Sequence, residues 1–234
     1  MTSPVYVALD TTDVAQAAAL ATSLKGLVAG VKFGLEFFTA CGPKGIEAVS
    51  DLGLPVFLDL KLHDIPNTVA GAMKGVARLA PRLTTIHASG GFAMMKAAVD
   101  AARDEAAKAN RPATKVLAVT VLTSLDQDAM DAIGFGGSVL EQVKRLAVLA
   151  QAAGVDGLVC SPHEVETVRN VVGSGMTLVV PGIRPAWAEA GDQKRFMTPK
   201  EAIQRGADLL VIGRPITGAA VPADAAKRIA DELA

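Results

Sequence analysis

The sequence predicts an α/β protein, a (β/α)8 or TIM barrel formed as a single domain over residues 1–234. Three observations lead there. Eight short runs rich in β-branched and apolar residues recur along the chain. Ala-rich segments with helical spacing lie between them. Polar residues close nearly every run, at the strand end where a barrel gathers its active site.

The first run, "VYVALD" (5–10), ends on Asp10, and Val14, Ala17, Ala21 and Leu24 then recur at helical spacing. "AGVKFG" (29–34) carries Lys32, "PVFLDL" (55–60) carries Asp59 with Lys61 just beyond, and "LTTIHA" (83–88) carries His87. "KVLAVTVL" (115–122) leads to Thr123. Ser138 followed by Glu141 reads as a capping box, and opens a helix with Val139, Val143, Leu146 and Ala150 on one face. "GLVCS" (157–161) ends on Ser161, where "SPHE" (161–164) puts Ser at the N-cap, Pro at the first helical position and Glu at the third. Ser161 is therefore read as a helix cap and His87 as a core or rim histidine. "TLVVPG" (177–182) leads to Arg184, and "TPKE" (198–201) repeats the capping pattern. "LLVIGR" (209–214) ends on Arg214. A weak internal echo links "AGVDGLVCSP" (153–162) to "RGADLLVIGRP" (205–215). The alternative is an open doubly wound sheet. It would carry G-x-G-x-x-G after the first strand and gather its polar residues at one switch point, and this chain does neither.

Composition narrows the function. The chain is 50% hydrophobic and 20% charged, which suits one globular domain with a sizeable core. A net charge of -1 gives no electrostatic footprint for nucleic acid or an acidic membrane. No apolar run approaches the length of a membrane span. "MTSPVYVALD" lacks a basic region followed by an apolar stretch, so no signal peptide and a cytoplasmic location are expected. Cys41 and Cys160 lie far apart and are expected to be reduced and buried. His63, His87 and His163 are dispersed, which disfavours a histidine metal site and leaves carboxylate sites open.

The most informative stretch is "FLDLKLHDIPNTV" (57–69), which places charges in the order minus, plus, minus at a strand end. Strand alternation puts Phe57, Asp59 and Lys61 on the inward face and Leu58, Leu60 and Leu62 on the helix-facing side. Asp64 falls where the chain leaves for the next helix. Buried charges are costly unless paired, and this order allows pairing, with Lys32 from the neighbouring strand extending the network. A purely structural ion-pair cluster is the alternative. Two pairs at a barrel mouth favour a reactive site.

These residues carry a resemblance. "VALD" with Asp10, "VKFG" with Lys32, "DLKLHDIPNTV", "PGIRP" with Arg184, "GDQKR" with Gln193 and "VIGRPIT" with Gly213 and Arg214 together resemble the orotidine 5'-phosphate decarboxylase family, from Asp10 to Thr217. The D-x-K-x-x-D signature by itself is shared with hexulose-phosphate synthase and ketogulonate-phosphate decarboxylase, and the "PGIRP…GDQKR" segment points to the orotidine member. Leu62 stands where many relatives have Phe.

The resemblance implies decarboxylation of orotidine monophosphate to UMP, the last step of pyrimidine synthesis, with no cofactor and no metal. It implies that Asp59 lies near the leaving carboxylate, and that Lys61, charged between Asp59 and Asp64, protonates C6. Lys32 would hold Asp59 and contact the ribose, and Asp10 would bind ribose hydroxyls. Thr123 would meet the base. Arg214 with Gly213 would contact phosphate. Arg184 would belong to a long loop, 182–195, that closes over the ligand, and Gln193 would bridge phosphate and pyrimidine. Asp64 and Thr68 would reach the partner's site in a homodimer, and Ile65 would be among the substrate-binding residues. The phosphate side also reads from the residues, because barrels often bind phosphate after strands 7 and 8, where glycine and arginine occur together here. Rival readings are a Mg2+-dependent sugar-phosphate lyase on the same acidic residues, a Schiff-base aldolase using Lys61 or Lys32, and a phosphosugar-binding barrel without turnover.

Overall fold

The computed structural model describes residues 3–188 and 197–233. Eight parallel strands close into a barrel in sequence order: β1 (Ser3–Ala8), β2 (Val28–Phe33), β3 (Val56–Leu62), β4 (Leu83–His87), β5 (Lys115–Val119), β6 (Gly157–Val159), β7 (Thr177–Val180) and β8 (Leu209–Ile212). Closure is made by β1 against β8, where Tyr6 lies opposite Val211. Around the barrel run α1 (Val14–Leu24), α2 (Leu35–Ser50), α3 (Pro66–Arg78), α4 (Gly91–Lys108), α5 (Gln127–Ala132), α6 (Val139–Ala152), α7 (Val165–Val172), α8 (Pro199–Gln204), α9 (Arg214–Thr217) and α10 (Pro222–Leu233). Among the described residues no helix is long and apolar enough to cross a membrane. The runs read from the sequence each fall on a strand, although β5 stops at Val119 and not at residue 122.

Alternation sorts each strand into two cores. Val7, Leu58, Ile86, Ala118, Leu158, Leu178 and Leu210 face the helices and join one continuous apolar layer with them. Tyr6, Ala8, Phe57, Leu83, Leu117, Val179 and Val211 fill the barrel interior. Full burial of a side chain of this size contributes about 1.5–3 kcal/mol, so the two layers carry most of the fold's stability. The Tyr6 and Phe57 rings meet edge to face with centroids 5.9 Å apart. They fit because β2 has Gly30 there: a Cβ would come within 2.5 Å of the Tyr6 ring and 2.2 Å of the Pro55 carbonyl.

The internal echo has a structural meaning. Asp156, just before β6, accepts from the Val116 N–H at 2.8 Å, and Asp208, just before β8, accepts from the Leu178 N–H at 2.7 Å. Each carboxylate ties the start of its strand to the neighbouring strand at the barrel floor, leaving the opposite mouth for chemistry.

Of the three helix starts read from capping patterns, two form as expected. Ser138 with Glu141 and Thr198 with Glu201 make complete capping boxes. The third is corrected. α7 begins at Val165 with Glu164 as N-cap, and Ser161 caps nothing with its hydroxyl. Glu164 Oε2 still accepts from the Ser161 N–H at 2.9 Å, so half the box forms and holds a turn before the helix.

Candidate active site

β3 supplies the centre of the site. Between the pairs Leu58–Thr84 and Leu62–Ile86, β3 advances four residues while β4 advances two, so the strand bulges across Asp59 and Lys61. Lys61 takes φ 51°, a left-handed conformation rare for a residue with a Cβ. Leu58 and Leu60 still face the helices and Phe57 still faces the interior, as alternation predicts.

Asp59 is the hub. Its Oδ2 accepts from Lys61 Nζ at 2.9 Å and lies 3.5 Å from Lys32 Nζ, which β2 delivers from the adjacent strand end. Its Oδ1 accepts from the Thr85 hydroxyl at 2.8 Å. The Asp59 side chain is 13% exposed. Burial pushes its carboxyl up, but Lys32, Lys61 and the hydrogen bonds from Lys61 and Thr85 outweigh burial and hold it below the usual carboxylate range. Asp59 is thus a largely buried anion at neutral pH with cations on one oxygen. A dication at Asp59 would have to displace those ammonium groups. Among the described residues no cluster of three His, Cys, Asp or Glu side chains is placed to hold a metal.

The charged group forms one side of a cavity of about 210 Å³ at the C-terminal mouth. Lys32, Asp59, Lys61 and Thr123 line it, with an apolar wall from Val119, Val121, Leu122, Val159, Pro181 and Val211. Four residues singled out in the sequence therefore meet in one cavity. Asp10 and Gly213 come together beside it: a Cβ on Gly213 would lie 3.8 Å from Asp10 Oδ2. Arg214 opens α9 directly after Gly213. Arg184 is 7% exposed, and its N–H donates to Met197 O at 3.0 Å at the root of the β7–α8 loop. Gln193, in that loop, lies outside the described residues.

Asp64, Ile65 and Thr68 do not line their own chain's cavity. Residues 63–68 are all exposed at the start of α3, Ile65 at 67%, and Asp64 Oδ1 accepts from the Ile65 N–H at 2.6 Å. His87 faces inward at the end of β4, with its ring centroid 5.4 Å from that of His63. Burial first, then His63 and Lys61, push His87 below the usual imidazole range against the pull of Asp59. The sequence reading missed Thr85 and most of the apolar wall. Thr85 was detectable as the polar residue two before His87, on the same inward face; Val121, Leu122 and Pro181 lie just past the ends of β5 and β7 and carry no such signal.

Residues 3–229 match the family model described as orotidine 5'-phosphate decarboxylase / HUMPS family. The chain is 66% identical over 233 residues to an orotidine 5'-phosphate decarboxylase from Paramagnetospirillum magneticum, covering 100% of this chain and 99% of the relative. It is 54% identical to one from Rhodospirillum rubrum, covering 99% and 94%. The crystal structure of orotidine 5'-phosphate decarboxylase from Lactobacillus acidophilus superposes with TM-score 0.88 at 38% identity, covering 99% of both chains. With this likeness over its whole length, on a barrel whose mouth holds the paired charges, the chain belongs to the orotidine 5'-phosphate decarboxylase family and is an enzyme of the carboxy-lyase class.

Proposed function

We propose that this protein decarboxylates orotidine 5'-monophosphate to UMP without a cofactor. The observation that carries the reading is the ionised, largely buried Asp59 held between Lys32 and Lys61 at the cavity wall. Breaking the bond from C6 to the carboxylate releases CO2 and leaves an electron pair on C6. Asp59 stands against the leaving carboxylate, and two like charges at close range favour departure of one of them. The Lys61 ammonium stabilises the developing charge and delivers its proton to C6, and water then restores the proton to the amine. The same pairing argues against a Schiff-base aldolase, since an ammonium bonded to Asp59 is not a free amine.

The remaining groups hold the substrate. Asp10 and Lys32 take the ribose hydroxyls, and Thr123 takes the base against the apolar wall. Gly213 and Arg214 bind the phosphate, with Arg184 at the root of the loop and Gln193 upon it. In a homodimer, Asp64, Ile65 and Thr68 complete the partner's site. Their exposure supports that role, including an isoleucine that is 67% exposed. The deciding test adds orotidine monophosphate to the purified protein and follows the pyrimidine absorbance with and without EDTA. Loss of substrate absorbance that EDTA leaves unchanged is expected. A folded, UMP-binding protein that leaves the absorbance constant sinks the reading, and loss of activity in EDTA selects the metal-dependent lyase.

A further inference from the structure

The bulge in β3 creates a problem that one side chain on β4 answers. With the ladder register slipped and Lys61 at φ 51°, the Lys61 N–H is turned away from regular pairing. It donates to the Thr85 hydroxyl oxygen at 2.9 Å. The single hydroxyl proton of Thr85 is then directed to Asp59 Oδ1 at 2.8 Å. Thr85 is fully buried, so no water competes for either bond. With Oδ1 taken, Oδ2 is the oxygen left for Lys61 Nζ at 2.9 Å and Lys32 Nζ at 3.5 Å. One side chain thus grips the backbone of the lysine and the carboxylate of the aspartate together. Its neighbour Thr84 points to the other face and donates to Leu58 O at 2.9 Å, a bond that touches neither charged group.

We propose that Thr85 is the positioning residue of this site: its hydroxyl fixes the Asp59 carboxylate and the left-handed Lys61 in one register, so that the ammonium stays on Oδ2 and faces the cavity. Without it, the Asp59 carboxylate is free to rotate and the Lys61 backbone loses its partner. The role in turnover rests on the decarboxylase reading; the effect on the ion pair does not.

The test compares Thr85→Val, which keeps the branched shape and removes the hydroxyl, with Thr85→Ser, which restores it, and with Thr84→Val as a matched loss of one buried hydrogen bond. A hydrogen bond to a charged group corresponds to about ten- to a hundredfold in rate when its effect falls on the transition state. Thr85→Val is therefore expected to lower kcat by that factor with KM little changed, Thr85→Ser to recover most of it, and Thr84→Val to keep wild-type kcat. Removing a donor from a carboxylate raises its pKa, so the acid limb of kcat/KM should move to higher pH in Thr85→Val alone. Isotope-edited NMR of the Asp59 carboxyl should show the same upward movement with no substrate present. The proposal is overturned if Thr85→Val titrates Asp59 as the wild type does, if Thr85→Ser is as impaired as Thr85→Val, or if Thr84→Val loses as much activity. Should the wild type fail to decarboxylate orotidine monophosphate while the NMR shift appears, the functional reading falls and the positioning of Asp59 by Thr85 stands.

Discussion

Lys61 combines a charge paired with Asp59 with a backbone conformation that its Cβ resists. A non-glycine residue held at positive φ costs on the order of 1–3 kcal/mol, and such strain persists only where the surroundings over-determine it. Here the surroundings are the Thr85 hydroxyl on its N–H and Asp59 on its ammonium. Lys61→Ala should retain UMP binding and lose nearly all turnover in single-turnover assays, because it removes the proton source we propose; decarboxylation within about tenfold of wild type would reduce Lys61 to a structural role. Lys61→Gly should be equally inactive, yet more stable than Lys61→Ala by about 1 kcal/mol in urea titration, since both lack the ammonium and only glycine accepts φ 51° freely. In a relaxed strand the order would reverse, so the sign of the difference reads the strain directly.

Elements set the geometry through their ends. Ser138 accepts from the Glu141 N–H while Glu141 accepts from the Ser138 N–H, and this reciprocal pair fixes the start of α6. Ser138→Ala should lower stability by about 1 kcal/mol. Ser161→Ala should change it by less than about 0.5 kcal/mol, because its hydroxyl caps no helix. Equal losses in the two variants, measured by chemical denaturation, would show that the turn before α7 relies on the Ser161 hydroxyl after all. At the other end of the chain, β8 stops at Ile212 and Gly213 turns directly into Arg214. In the proposed reading Arg214 binds a phosphate remote from the reacting carbon, and that binding energy is available for orienting the substrate. Arg214→Ala should raise KM and also lower kcat at saturation. A change confined to KM would mean the phosphate contact supplies uniform binding only.

The barrel as a whole leaves Asp64, Ile65 and Thr68 outside the cavity of their own chain. Asp64 is exposed and held by the backbone N–H of Ile65, outside the cavity that Asp59 and Lys61 line. In a two-fold dimer with shared sites, each site takes Asp59 and Lys61 from one chain and Asp64 from the other. Lys61→Ala and Asp64→Ala should each be inactive alone. When mixed under conditions of subunit exchange, about half the dimers are hybrid, and each hybrid holds one doubly altered site and one intact site, so about a quarter of all sites should regain activity. No recovery, with exchange confirmed by mass, would mean that Asp64 serves its own chain.

The sequence by itself determined the barrel, its strand order and the identity of the charged residues at its mouth. Those features are written in local periodicity: an inward Asp59 and Lys61 follow from alternation in "FLDLKL", and Lys32 follows from the next strand over. Tertiary structure decided what those residues touch. Thr85 meets Asp59 and Lys61 only because β3 slips against β4, a register that no window on either strand encodes. Arg184, in isolation a solvated loop charge, is 7% exposed because the Ile183–Met197 bridge closes the root of its loop. "SPHE" carries every mark of a helix start, yet α7 begins later. The Ser161 N–H is taken by the Glu164 side chain, and the preceding Cys160 N–H donates to Val179 O on β7. Periodicity and caps are energies of neighbouring residues and can be read in a line. Register, burial of a loop charge and the partner of a hydroxyl are set by packing between segments far apart in sequence, and they exist only once the barrel has closed.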